Sequence, residues 1–322
     1  MTLQRYERLQ LLGRGTMGSV YAARDRLSGA RVAVKVLHPH FGAQSTTAAR
    51  FAREARALRG IMHPNVTRLI DVIDDGAAQA YVMELLDGQS LRTLLDHEPK
   101  PPLEIVYAIA VQMVAALEAI HKAGIVHRDV KPENVFCNRG PLGELNVKIL
   151  DFGIAKIRSA ASLAESTGTG TMLGTPEYMA PEQVRGDPTD ERTDVYAFGA
   201  VLYEMLCGRT PLAARNIGEL VIKLMAVTPE SPSRASGRKP KVAPAIDALV
   251  MRCLSKYPSD RPKSMTAVRE ELLAAADVMN APTAIMHVDE INAILRRGRE
   301  DRPGEGYSSM RSWAQEGSRV GA

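Results

Sequence analysis

The 322-residue chain carries 45% hydrophobic and 24% charged residues, which excludes a disordered protein and leaves length for a large core and two lobes. A formal net charge of +4 is mild for this length, and no basic run makes a case for nucleic acid. Three scattered cysteines (Cys137, Cys207, Cys253), with no CxxC pair, exclude a disulfide framework and point to a reducing compartment. From the N-terminus, YERLQLLG, GSVYAARD and RVAVKVL alternate as strands do, with RLSGA as the turn between the last two. Residues 45–60 read as a helix capped at Ser45 or Thr46 and stopped by Gly60. Two more strand-like runs come next, VTRLIDVID and AYVMELL. Residues 103–123 form a long apolar helix, and helical signals dominate from 192 to 277. A small β-rich part followed by a larger α-rich part predicts two lobes with a cleft between them.

The ends of the chain are quieter. The start, MTLQRYERLQ, lacks the apolar core of an export signal. The longest apolar stretch, IVYAIAVQMVAALEAI, is interrupted by Gln112 and Glu118 and reads as a buried helix, not a membrane span. A cytoplasmic protein is expected. Residues 278–322 hold one candidate helix, VDEINAILRR, and then a polar, Gly-rich run expected to be disordered.

The glycines of GRGTMGSV (Gly13, Gly15 and Gly18) precede a strand instead of a helix, which removes the dinucleotide-binding reading of GxGxxG. They sit in a hairpin turn, either an ordinary one or one whose backbone N–H groups close over phosphates. Lys35 shares a strand face with Ala33, opposite Val32, Val34 and Val36. It is either solvated or a phosphate ligand that needs an acid to hold it. Glu54 is the candidate acid, although it sits among Arg50, Arg53, Arg56 and Arg59, where a surface role is as natural.

Three further motifs appear in order: HRDVKPEN at 127–134, DFG at 151–153 and APE at 180–182. With the Gly loop and Lys35 they resemble the eukaryotic-type (Hanks-type) protein kinases over residues 6–275. Lys131 and GTPEYMAPE resemble the serine/threonine branch. RFAREARALRGIMHPNV and YVMELLDGQSL most resemble its bacterial members. The resemblance implies an α+β two-lobed kinase fold, with a catalytic domain over 1–277 divided near residue 86 into an N-lobe and a C-lobe.

It also implies roles. Asp129 would accept the substrate hydroxyl proton, and Lys131 would neutralise charge on the transferring phosphoryl group. Asn134 and Asp151 would hold Mg²⁺, or Mn²⁺ in its place. ATP would lie between Leu12, Gly13, Arg14, Gly15, Gly18, Val20 and Ala33 above and Phe136 below. Met83 would stand at its back, and Glu84 and Leu86 would offer backbone to the base. Lys35 would bind phosphates with Glu54 as its partner. His127 and Phe152, with Leu58 and Leu69, would be packing residues. Glu182 and Arg261 would form a buried ion pair, and Asp194 would hold the catalytic-loop backbone.

Arg128 beside Asp129 resembles the arrangement of kinases switched on by phosphate in the activation loop. Candidate acceptors are Thr167 and Thr169, seven and five residues before Gly174, and then Thr171. A flexible Ser/Thr/Gly loop without such a role is the plain alternative. The expected activity is ATP-dependent phosphorylation of protein serines and threonines. Regulation would come through a soluble partner or self-association, with no nucleic acid and no membrane span. A pseudokinase scaffold is the competing reading, and the complete set Lys35, Glu54, Asp129, Asn134 and Asp151 weighs against it. A small-molecule kinase is disfavoured by GTPEYMAPE, which resembles a platform for protein substrates.

Overall fold

The structure is a computed structural model that describes residues 3–15, 18–38, 58–74, 79–140, 142–150, 176–239 and 241–278. Five strands form the upper sheet: β1 (Tyr6–Arg14), β2 (Gly18–Asp25), β3 (Arg31–Leu37), β4 (Leu69–Asp74) and β5 (Gln79–Glu84). They are antiparallel in the order β1-β2-β3-β5-β4. The alternation in β3 sorts its side chains: Val32 and Val34 enter a core with Tyr6, Ala23, Ile73, Ala80 and Val82, and Ala33 and Lys35 take the other face. Of the helix expected over 45–60, only its end at Leu58 and Arg59 lies within the described residues.

Below the sheet the chain turns helical, as expected, with one addition. The short strands β6 (Gly88–Ser90), β7 (Val135–Arg139) and β8 (Leu145–Ile149) form a second antiparallel sheet. Their brevity and polar content (Asn138, Arg139, Asn146, Lys148) hid them from a reading based on period two. Helix α1 (Leu91–His97) is capped by the Ser90 side chain, which accepts from the Thr93 N–H. Helix α2 (Leu103–Lys122) is apolar and long enough by composition to cross a membrane, but Ile105, Ile109, Met113, Leu117 and Ile120 are buried in the lower core.

The centre of the lower lobe is α4 (Glu191–Cys207), preceded by the short α3 (Pro181–Arg185). From Thr193 to Cys207 every residue of α4 is buried, which requires a helix apolar nearly all round. Asp190 caps its N-terminus, and Gly208, at φ 71°, ends it in the left-handed conformation. Gly199 is needed for packing: a Cβ there would lie 2.6 Å from the Cys253 side chain on the neighbouring helix. The remaining elements are α5 (Ile217–Ala226), α6 (Pro232–Ala235), α7 (Pro244–Cys253) and α8 (Met265–Val278). The two sheets meet where Thr67 and Ile149 are bonded: the Thr67 N–H donates to the Ile149 carbonyl at 3.1 Å, and the Ile149 N–H to Asn65 O at 2.9 Å.

Candidate active site

The segment HRDVKPEN leaves α2 and passes over the N-terminus of α4. Arg128, at φ 62°, is the one non-glycine residue with positive φ among those described. For a residue with a long side chain that conformation costs roughly 1–2 kcal/mol, so something must hold it. Asp194, fully buried in the first turn of α4, does so. Its carboxylate accepts the His127 N–H at 2.7 Å and the Arg128 N–H at 2.8 Å. On the other side Gln183 donates to the Arg128 carbonyl at 3.0 Å. The peptide is clamped from two elements.

The clamp sets the course of the loop through Asn134. His127 is fully buried; its Nδ1 accepts the Asp129 N–H at 3.2 Å, so Nε2 carries the proton and donates to Leu150 O at 2.9 Å. The Asp129 carboxylate receives the Asn134 amide at 3.0 Å and lies 3.3 Å from the Lys131 ammonium. The second Asn134 N–H goes to the Asp129 carbonyl at 2.8 Å. Both amide hydrogens being committed, the Asn134 side chain presents its carbonyl oxygen as its remaining polar atom, a ligand suited to a hard divalent cation. The Asn134 backbone carbonyl also receives the Leu150 N–H at 2.8 Å, which ties this turn to the residue before Asp151. Asp129, Lys131 and Asn134 are therefore gathered on one short loop.

Across the cleft, strand register aligns the upper residues. Val20 faces Lys35, and Ala33 faces Met83. Gly15 N–H donates to Gly18 O at 2.8 Å, closing the hairpin turn. The glycines differ in purpose: a Cβ on Gly18 would fall 2.2 Å from Val36 O, whereas Gly13 faces open space. Gly18 is demanded by β3, and Gly13 leaves room above the cleft. Leu12 and Arg14 are exposed, and Leu86 and Phe136 are half-buried. Glu54, Asp151, Phe152, Thr167, Thr169 and Thr171 lie outside the described residues.

Glu84, at the end of β5, is held in a way the sequence did not suggest. Its N–H donates to Arg68 O at 3.1 Å, and its carboxylate accepts from Arg68 N–H at 2.8 Å and from the Lys148 ammonium at 2.7 Å. Lys148 reads in sequence as the outward residue between Val147 and Ile149, with nothing to single it out. Behind the site, Arg261 donates to both Glu182 oxygens at 2.7 and 2.8 Å with both side chains buried, and Thr193 adds a third bond to Glu182 at 2.8 Å. Arg261 also lies over the Tyr196 ring, 5.0 Å from its centre. A second cluster, also missed, joins Glu204 to the Tyr178 hydroxyl at 2.5 Å and to Arg92 at 2.8 Å. Burial, with the Glu204 charge beside it, holds the Tyr178 phenol far above its ordinary range.

A strained loop anchored on a buried helix acid, a paired Arg–Glu behind it and a glycine hairpin above are accompanied by a direct sequence match. Residues 6–273 match the protein kinase domain family. The chain belongs to the protein kinase family. This kinase is similar to the serine/threonine-protein kinase Pkn2 of Myxococcus xanthus, 38% identical over 279 residues, which covers 87% of this chain and 33% of that protein. Similarity to Pkn1 of the same organism is 40% over 266 residues, covering 82% of this chain and 37% of the relative. The chain thus spans about a third of the length of these curated relatives. The crystal structure of the Mycobacterium tuberculosis PknI kinase domain superposes with a TM-score of 0.66 at 24% identity, covering 86% of this chain and 97% of that domain. That likeness carries the two-lobed fold; the sequence relatives place the chain in the bacterial serine/threonine branch.

Proposed function

We propose that this chain transfers the γ-phosphoryl group of ATP to serine and threonine hydroxyls of proteins and is switched on by phosphorylation of its own activation loop. The observation that carries the reading is the convergence of Asp129, Lys131 and Asn134 within hydrogen-bonding and ion-pair distance. Asp129 orients the acceptor hydroxyl and takes its proton, while Lys131 balances negative charge gathering at the phosphoryl oxygens. Asn134 and Asp151 hold the divalent ion, whose chemistry is to neutralise phosphate charge. Lys35, paired with Glu54, binds the phosphates from above. Val20, Ala33, Met83 and Phe136 enclose the base, and the backbones of Glu84 and Leu86 bond to it.

The catalytic domain would end near residue 277, in the last turn of α8. The three cysteines are free, which supports action in a reducing compartment. Regulation would come from a protein partner or from a second copy phosphorylating Thr167 or Thr169, with Arg128 receiving the phosphate. The test is incorporation of labelled phosphate, with ATP and Mg²⁺, into the chain and into a generic basic protein, beside Asp129→Asn. The variant is expected to lose roughly 10²–10⁴-fold in rate, the ordinary contribution of a positioned base. Mass spectrometry should place the label at Thr167 or Thr169. Equal incorporation by the variant would refute the role of Asp129, and label at none of Thr167, Thr169 and Thr171 would refute the switch.

A further inference from the structure

His38 stands one residue past the end of β3, outside every motif of the catalytic set. Its Nε2 lies 3.3 Å from the carbonyl oxygen of Gly15 in the glycine hairpin. A carbonyl oxygen only accepts, so the imidazole donates and carries its proton on Nε2. Gly15 is thereby held on two sides, because its own N–H donates to Gly18 O at 2.8 Å. Among the described residues, a Cβ at Gly15 would have Gly18 O as its nearest neighbour, at 3.7 Å. A glycine with that much room turns its peptide over at little steric cost. The His38 bond opposes the turn.

We infer that His38 is a positioning residue for the phosphates of the nucleotide, acting through the Gly15 peptide; this rests on the proposed kinase activity. In β3, Val36 packs against the upper core and Lys35 takes the cleft face. The period of two carries His38 to the side of Val36, away from Lys35. Its bond therefore draws the Gly15 carbonyl away from the cleft. A peptide is planar and trans, so the N–H on the opposite edge of that plane points toward the side of Lys35, where a phosphate arrives. Turned over, the same peptide would set a carbonyl oxygen against the anion. His38 selects the orientation that receives phosphate without touching the nucleotide. Pairing of Gly18 with Leu37 keeps the hairpin and the end of β3 at a fixed separation, which holds the histidine within reach.

The experiment compares the whole chain with His38→Leu, which removes the donor, and His38→Gln, whose amide nitrogen lies as many bonds from Cβ as Nε2. Calorimetry measures affinity for ATP with Mg²⁺ and for adenosine, which lacks phosphate, and steady-state kinetics give kcat. His38→Leu should bind ATP about three- to ten-fold more weakly, the ordinary net worth of one hydrogen bond. Its affinity for adenosine should match the wild type, with kcat within about two-fold. His38→Gln should restore ATP affinity. Wild-type ATP affinity in His38→Leu would overturn the inference. So would an equal loss for adenosine, which would make His38 a general support of the upper lobe, and so would failure of His38→Gln to recover. If the wild type binds ATP but transfers no phosphate, the kinase reading falls by itself and the affinities decide the role of His38 alone. A wild type that binds no ATP would overturn both.

Discussion

The two lobes bury their residues differently. Among the described residues, the main core of the upper sheet is a single layer of side chains on one face: Tyr6, Ala23, Val32, Val34, Ile73, Ala80 and Val82. The lower core is continuous from α1 through α8, with α4 enclosed on all sides. Their charges differ in the same sense. In the upper lobe Arg5 holds Asp25 at 2.6 Å from a partly exposed position, keeping that carboxyl well below its ordinary range. In the lower lobe Glu182, Asp194 and Arg261 are buried outright; Asp194 bonds to the His127 and Arg128 backbone, and Arg261 to Glu182 and the Arg192 carbonyl. The buried, multiply bonded charges are built into the thick lobe, and the thin lobe rests on a smaller core.

The sharpest way to break this contrast is Arg261→Met. It leaves Glu182 buried with only Thr193 as side-chain donor, and an unpaired buried charge costs about 3–5 kcal/mol. Urea unfolding should show that loss; a change under about 1 kcal/mol would mean the pair is not part of a rigid frame. Ile73→Ala is the counterpart in the upper lobe. Ile73 is fully buried, and the truncation should cost about 2–4 kcal/mol. Hydrogen exchange should accelerate in β4 and β5 while α2 and α4 keep their protection. Equal acceleration in all four would show that the two cores unfold as one.

Most of this architecture could be read in the chain because its signals are periodic or local. The alternation of RVAVKV put Lys35 on the face opposite the core, and the apolar run at 103–123 gave α2 almost to the residue. HRDVKPEN was conspicuous through its crowding of charge. Partners that act across the fold were harder to see. His121 precedes Asp194 by 73 positions and Lys148 comes 64 after Glu84, and neither stands out from a helix-end histidine or an outward strand lysine. Gln183 and Thr193 were equally silent, since a single polar residue carries no period. Gly18 was legible as a loop glycine for a reason that proved incomplete: β3 crowds it, whatever lies above the loop.

The junction between the lobes offers a finer test. Lys148→Met removes the ammonium that reaches Glu84 at 2.7 Å, leaving its carboxylate with the Arg68 N–H. A charged hydrogen bond of this kind is worth about 1.5–3 kcal/mol. The expected loss is at the lower end, because the Glu84 side chain is 25% exposed and regains water. If Glu84 presents its backbone to the nucleotide base, KM for ATP should rise several-fold with kcat little changed. An unaltered KM together with lost stability would make the bridge a strut between lobes and nothing more.

The smallest expected effect belongs to Lys256, which packs beside the buried pair. Its ammonium lies 3.4 Å from Lys223 O, and burial, with Arg261 nearby, lowers its pKa to about 8. The unfolded chain, titrating near 10.5, holds that proton more tightly than the native state. The penalty is therefore fully present below pH 8, and native stability should rise as pH increases from 8 to 10.5. Lys256→Met removes the penalty and should stabilise the protein by about 1–2 kcal/mol at pH 7, discounted because the side chain is only half-buried. The advantage should shrink towards pH 10.5 as the wild-type lysine loses its charge in both states. Taking the difference between the two proteins cancels the opposite trend of the buried thiols Cys137 and Cys253, which burial raises to about 12 and which favour unfolding as pH rises past their ordinary range. Urea titrations at pH 7, 9 and 10.5 would decide it: a gap independent of pH would place the cost of Lys256 in packing instead of charge.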